Sequence, residues 1–302
     1  MMPDMSDFDE TLRAIRDEID GVDAQLHQLL IERTTLIEKV GKLKRDLPVK
    51  IRPAREAQIA YTLVERHRGP FPKRDLIRIW REMIMATLSI EGPFSTAVYA
   101  AENADGYWDL ARDHFCNSLA LTRHTSVQQV INAVMTGDAT TGVLPVPSRD
   151  DEKPWWPHLM GVSQNRPKVI FRLPFTGSGN GRSAGMEAIV ICPVDQEETG
   201  RDRSFFAFET ENQIPLDTVQ KALRDVDLPP YSVLPWYDAN AEVWLYLVEV
   251  DAYVADEDRR IRRFTDVLKR PVGRIVSLGG YAKPLTEKEL STASDEADTT
   301  DT

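Results

Sequence analysis

Arg33 stands where a leucine would fit. From Leu12 to Leu43, apolar residues recur at Leu12, Ile15, Ile19, Val22, Leu26, Leu29, Leu36, Val40 and Leu43. The spacing alternates three and four, which marks one helix stripe with a coiled-coil-like seam. Arg33 fills the gap in that rhythm. Its guanidinium cannot be neutralised, so in an apolar seam it needs an anion or a carboxylate opposite it. The alternative is that it snorkels out to water. Lys44 lies eleven residues beyond, about three turns and about 16 Å along the axis, so both cations project from nearly the same face. Two long side chains reaching toward each other leave a gap suited to a small dianion. Arg16 lies roughly 100° around from Arg33, poorly placed for the same pocket but able to enter that of a neighbouring subunit. Thr87 and Glu91 are four apart and share a helix face.

Three helices must position these groups. The first runs over the stripe and ends at Arg45-Asp46-Leu47-Pro48. Pro53 opens a second, from about Ala54 to His67, stopped by Gly69-Pro70. A third follows Pro72, from Lys73 to Glu91, with Ile77, Trp80, Ile84 and Leu88 as its apolar face. The first helix is about 50 Å long or more and the others about 20–30 Å each, so two short helices cannot cover the long seam. Two chains intertwined, each burying the other's long helix, solve that problem.

The chain has 302 residues, enough for two or three domains, and its 42% hydrophobic content suits ordinary cores. No run of eighteen apolar residues is present, so no membrane span is expected. The acidic stretch Met1 to Glu10 lacks the apolar core of a signal peptide. Cys116 and Cys192 have no metal-site spacing and read as reduced thiols, which places the protein in the cytoplasm. The net charge is −11, which argues against nucleic acid as a partner. Residues 1–92 carry 16 Lys+Arg and 16 Asp+Glu, so the whole excess falls on the remainder. The balanced helical part is the better host for an anionic metabolite.

The run Leu12-Arg13-Ala14-Ile15-Arg16-Asp17-Glu18-Ile19-Asp20-Gly21-Val22-Asp23 is followed by Leu29-Leu30-Ile31-Glu32-Arg33, by Val40-Gly41-Lys42-Leu43-Lys44 and by Arg52-Pro53-Ala54-Arg55-Glu56. With Trp80 to Glu91, these motifs resemble the all-helical chorismate mutases over residues 8–92. The resemblance implies a three-helix domain that forms an intertwined homodimer and converts chorismate to prephenate. It places the partner subunit's substrate-binding arginine on Arg16, the in-chain arginine on Arg33 and the catalytic lysine on Lys44. The arginine and glutamate after the loop fall on Arg55 and Glu56, the hydroxylic position on Thr87 and the Gln-or-Glu position on Glu91. Arg52 departs from the aspartate that some members carry. The implied reaction is pericyclic and needs no metal, cofactor or covalent nucleophile. Arg16 and Arg33 would hold the carboxylates, while Lys44 and a protonated Glu91 would donate to the ether oxygen as charge develops there.

Residues 94–200 alternate strand and helix, which suggests a small α/β unit with a largely parallel sheet. Val127 to Gly137 followed by Gly142-Val143-Leu144-Pro145-Val146 is similar to the first lobe of prephenate dehydratases. The family continues with Glu-Asn-Ser, where Pro147, Ser148 and Arg149 stand here. The catalytic Thr-Arg-Phe has no counterpart. Thr122-Arg123 is placed too early and is followed by His124, so the region reads as a degenerate relic. Gly177-Ser178-Gly179-Asn180-Gly181 lacks the Lys-Ser/Thr of a phosphate loop and reads as a flexible loop. Trp155 and Trp156 read as packing residues. Residues 203–284 give strand, helix, strand, strand, helix, strand, which resembles the α+β ACT regulatory domain. The ligand signatures of that family are absent at Ile214-Pro215-Leu216 and at Val233-Leu234-Pro235-Trp236. Residues 286–302 are polar and acidic and read as a disordered tail. Two other functions fit the same chain: a bifunctional mutase/dehydratase, and a non-catalytic regulatory protein that binds aromatic metabolites.

Overall fold

Helix α1 (Met5–Leu43) is 39 residues long, about 58 Å at the α-helical rise. No proline interrupts it. Thr34 and Thr35 turn their hydroxyls back onto the carbonyls of Leu30 and Ile31, and Gln28 donates to Glu32 one turn on. Its apolar stripe is left uncovered: Ile15, Ile19, Val22, Leu26 and Leu29 are 49–59% exposed. The computed structural model describes residues 5–43, 49–102, 104–116, 119–161, 163, 166–179 and 181–291. None of its described helices is long and apolar enough to cross a membrane.

The chain divides into two compact units: Met1–Lys50 with Thr87–Pro93, and Ile51–Ala86 with Phe94–Thr302. Helix α2 (Pro53–Arg66) therefore belongs with the larger unit, as does most of α3 (Lys73–Glu91). Pro53 occupies the first turn of α2, where a missing N–H costs nothing. Ala57, Ala60 and Val64 of α2 and Ile77 of α3 bury themselves against Phe175, Ala282, Leu285 and Leu290.

The larger unit is built on one nine-stranded sheet. Its strands are β1 (Ser95–Tyr99), β2 (Ala120–His124), β3 (Thr141–Pro145), β4 (Lys168–Leu173), β5 (Ala188–Cys192), β6 (Asp202–Thr210), β7 (Pro230–Asp238), β8 (Val243–Val250) and β9 (Ile275–Ala282). Their order is β2-β1-β3-β5-β4-β9-β6-β8-β7. Crossover helices α4 (Asp105–Phe115) and α5 (Val127–Thr136) make β1, β2 and β3 parallel. Ser126 caps α5 by accepting from the Gln129 N–H. The largely parallel sheet expected for residues 94–200 is corrected here. β5 runs antiparallel to both β3 and β4, and the described residues between β4 and β5 contain a short 3₁₀ turn and no crossover helix.

One hydrophobic cluster joins residues from both sides of residue 200. Trp155, Trp156 and Leu159 share one cluster with Phe205, Ala207, Leu245 and Leu247 from the later strands. The two halves of the sheet meet where β4 and β9 pair at Val169 and Gly279. A side chain at Gly279 would meet the Val169 carbonyl oxygen at 2.5 Å, and the residue's φ is +83°, so glycine is required there. On the opposite face, helices α6 (Leu216–Arg224) and α7 (Arg259–Leu268) cover Phe206, Phe208, Tyr246 and Val248.

The disordered tail expected from residue 286 is corrected at its start. Helix α8 (Glu287–Leu290) is opened by a capping box between Thr286 and Glu289, and Leu290 is buried. Residues 292–302 lie outside the described residues.

Candidate functional site

Arg33 is more buried than its apolar neighbours. Leu29 and Leu36 are 59% and 60% exposed, whereas Arg33 is half-buried. Its Nη1 is shut off from solvent, with no hydrogen-bond partner among the described residues. Burial pushes its pKa below the usual value for arginine, yet a guanidinium keeps its proton in proteins. Among the described residues, this atom of a held cation is short of an acceptor.

Two turns further along α1, the helix meets the end of α3. Glu38, Gly41, Lys42, Ile90 and Glu91 line a cavity of about 370 Å³. The two helices come close at Gly41, where an added methyl group would lie in van der Waals contact with the Glu91 Cγ at 3.4 Å. Thr87, one turn before Glu91, is buried. Arg16 is exposed on α1, about 25 Å from Arg33 along the axis. Lys44 lies outside the described residues. Sequence reasoning misses Glu38, Lys42 and Ile90 as lining residues. Gly41-Lys42 lies inside the motif Val40 to Lys44, and the position of Glu38, one turn before Lys42, is the signal that could have found it.

The remaining residues singled out from the sequence belong to the larger unit. Arg55 is exposed on α2, and Arg52 faces Glu197 at 3.5 Å. Glu56 is half-buried and lines a small cavity with Ile59, Ala60, Leu63, Ile77, Trp80, Arg81 and Ile84. Burial raises its carboxyl to about 7, against the pull of Arg81. That value lies above the roughly 4.3 of an unfolded glutamate. Between the two values the folded state holds a proton that the unfolded state has lost. Stability therefore falls as pH rises from about 4.5 to 7, by something on the order of 3 kcal/mol from this group. In Glu289, hydrogen bonds from Arg201 and Thr286 outweigh burial and hold the carboxyl near 2, so it acts only at more acid pH. His114, which burial holds well below the usual histidine pKa, works in the opposite sense over part of this range, so the contribution of Glu56 is read by difference. Relative to wild type, Glu56→Gln is expected to shift the balance toward greater stability at pH 7 than at pH 5. Urea midpoints of both proteins at about pH 5 and pH 7 check this, and an identical pH dependence in the two removes Glu56 as a contributor.

The other sequence candidates have structural roles. Arg123 pairs with Asp105 and stacks over Trp108, and Thr122 shares a hydrogen bond with His124. In the glycine-rich loop, the Ser178 N–H donates to Glu287, which also pairs with Arg74, so a carboxylate of the same chain takes that amide. Trp155 and Trp156 are buried. Cys116 and Cys192 are free and buried, and burial raises both thiols to about 12.

Residues 15–92 match the family model of chorismate mutase type II. This segment is about a quarter of the chain and carries Arg16, Arg33, Lys44, Arg55, Glu56, Thr87 and Glu91. The chain is 30% identical over 148 residues to the bifunctional chorismate mutase/prephenate dehydratase of Pseudomonas aeruginosa. That match covers 47% of this chain and 40% of the relative. It is 34% identical over 143 residues to the protein of the same description from Aquifex aeolicus, covering 45% of this chain and 39% of that one. The chain thus spans about two-fifths of the length of these relatives. Among solved structures, a prephenate dehydratase from Arthrobacter aurescens in complex with L-Phe aligns with a TM-score of 0.47 and 10% identity, covering 68% of this chain and 97% of that one. GqqA, described as a quorum quenching acylase, aligns with a TM-score of 0.46 and 12% identity, covering 64% of this chain and 95% of its own.

Proposed function

We propose that the protein is a chorismate mutase that converts chorismate to prephenate in aromatic amino-acid biosynthesis. The observation that carries this reading is the buried Nη1 of Arg33, without a hydrogen-bond partner among the described residues, inside a segment that matches the mutase family. The rearrangement breaks one carbon–oxygen bond and forms one carbon–carbon bond within a single molecule. It requires orientation of the two reacting ends and donors aimed at the ether oxygen, so the chemistry itself calls for no cofactor. Arg33 and the partner subunit's Arg16 hold the two carboxylates. Lys44 and Glu91 act on the ether oxygen, and Arg55, Glu56 and Thr87 complete the substrate contacts. The exposed stripe of α1 supports a homodimer closed through the N-terminal helices. We place the catalytic function in residues 8–92 and the protein in the cytoplasm, without nucleic acid or membrane as partner.

Residues 94–200 we read as a dehydratase-like unit without activity. The strand order β9-β6-β8-β7, with α6 and α7 packed on one face, supports an ACT-like reading of residues 203–284. Incubating purified protein with chorismate is the direct test. Enzyme-dependent prephenate is expected, and no turnover above the uncatalysed rate in folded protein overturns the proposal. The bifunctional reading is favoured by the relatives' names and opposed by Pro147-Ser148-Arg149 and by the structural use of Arg123. Prephenate is therefore expected to accumulate. Enzyme-dependent phenylpyruvate at neutral pH, detected by its absorbance in alkali, would show the relic to be active.

A further inference from the structure

Helix α3 carries Thr87 and Glu91 near its end and Arg81 six residues before Thr87, about 9 Å along the axis. Arg81 lines the α2–α3 cavity opposite Glu56. Its guanidinium also leaves the helical layer. It lies 5.6 Å from the centre of the Phe175 ring, and its Nη1 donates to the imidazole of His114 on α4. His114 is 4% exposed and packed edge-on against Phe115 and Phe171, with ring centres 4.7 and 4.6 Å away. An imidazole that accepts from a guanidinium must be neutral. Burial, and then the charge of Arg81, hold the histidine well below its ordinary pKa. The contact is thus a charged donor on a neutral acceptor, in a packed aromatic surround that leaves neither ring nor fork much freedom.

We propose that Arg81 is a positioning residue of the mutase site: His114 anchors its guanidinium, and the anchored guanidinium fixes the placement of Glu56 across the α2–α3 cavity. The inference rests on the mutase reading above. Arg81 touches neither reacting atoms nor substrate; it acts through Glu56. The α/β body, which we read as catalytically silent, thereby acquires a role: it supplies the acceptor that holds Arg81.

The experiment uses the full-length protein with chorismate as substrate and compares wild type, His114→Leu, His114→Asn and Arg81→Lys. Leucine fills much of the imidazole space without an acceptor, whereas asparagine offers a carbonyl near the position of Nδ1. His114→Leu is expected to lower kcat about tenfold or more with a much smaller change in KM, since misplacement on the scale of an ångström affects the transition state first. His114→Asn is expected to restore most of that loss, and Arg81→Lys to behave like His114→Leu. If His114→Leu lowers the melting temperature but leaves kcat and KM at wild-type values, the contact is structural only and the inference is overturned. Failure of asparagine to rescue a kcat defect overturns it as well. If the wild type itself does not turn over chorismate, the mutase reading falls and takes this inference with it, an outcome distinct from either of the others.

Discussion

Arg33→Met is expected to lose chorismate turnover by roughly two orders of magnitude or more while making the folded protein more stable. Both effects have one cause. The Arg33 Nη1 is buried without an acceptor among the described residues. An unsatisfied buried polar group costs about 1–3 kcal/mol, more when it is charged. Methionine replaces the aliphatic stem of the arginine, carries no polar hydrogen and continues the rhythm of Leu26, Leu29, Leu36 and Val40. Removing the charge should therefore stabilise the chain by about 1 kcal/mol, seen as a rise of a few degrees in melting temperature. On the proposed function, the same change removes the cation that would hold a substrate carboxylate. Losing one preorganised charged donor costs about 10²–10³ in rate. Arg33→Lys keeps the charge but not the planar fork and should fall between the two. The signature is opposite movement of stability and activity, as expected of a residue retained for function. A methionine variant with near wild-type kcat/KM would remove Arg33 from the site. A variant that loses both activity and stability would show that the guanidinium has a partner in the assembled protein.

The position of Arg33 was legible in the sequence, and much of the fold was not, for reasons that lie in the residues themselves. A helix stripe is a local, periodic signal, so a single cation that breaks the period stands out from the spacing alone. The end of α3 at Glu91 and the start of α2 at Pro53 are similarly marked, by Gly92-Pro93 and by the first-turn proline. The βαββαβ order of residues 203–284 can be read from alternating strands and amphipathic helices. Long-range pairing cannot. Nothing near Val169 announces that β4 will lie beside β9, and Gly279 shows its purpose only once the Val169 carbonyl is opposite it. The direction of β5 depends on a connection without a crossover helix, a feature that strand composition does not encode. Arg81 is hidden for a related reason. In sequence it is one more charge on a charged helix, and its meaning comes from His114, 33 positions away. Leu290 resembles a tail residue because its neighbours are polar, although Thr286-Glu287-Lys288-Glu289 contains a capping box.

Two inactive variants should restore each other's activity when mixed. Arg16 and Arg33 lie on the same helix but about 100° apart around it, so one substrate cannot meet both within one chain's groove. The apolar stripe that carries Arg33 is exposed along most of α1, with Leu26 at 59% and Leu36 at 60%. A second α1 laid along that stripe would cover it and bring its own Arg16 to the neighbour's Arg33. Each homodimer of Arg16→Ala or of Arg33→Ala lacks a carboxylate-binding cation at both sites and should be nearly inactive. In a mixed dimer, one site collects both defects and the other collects neither. Statistical exchange at equal amounts makes about half the dimers mixed, each with one intact site, so activity near a quarter of wild type is the ceiling. Exchange would be verified with differently tagged chains, and turnover measured before and after it. Recovery toward a quarter would show that each site is shared between subunits. Verified exchange with no recovery would place Arg16 and Arg33 in the same chain's site and overturn the intertwined arrangement, while leaving the mutase chemistry to stand on the chorismate assay.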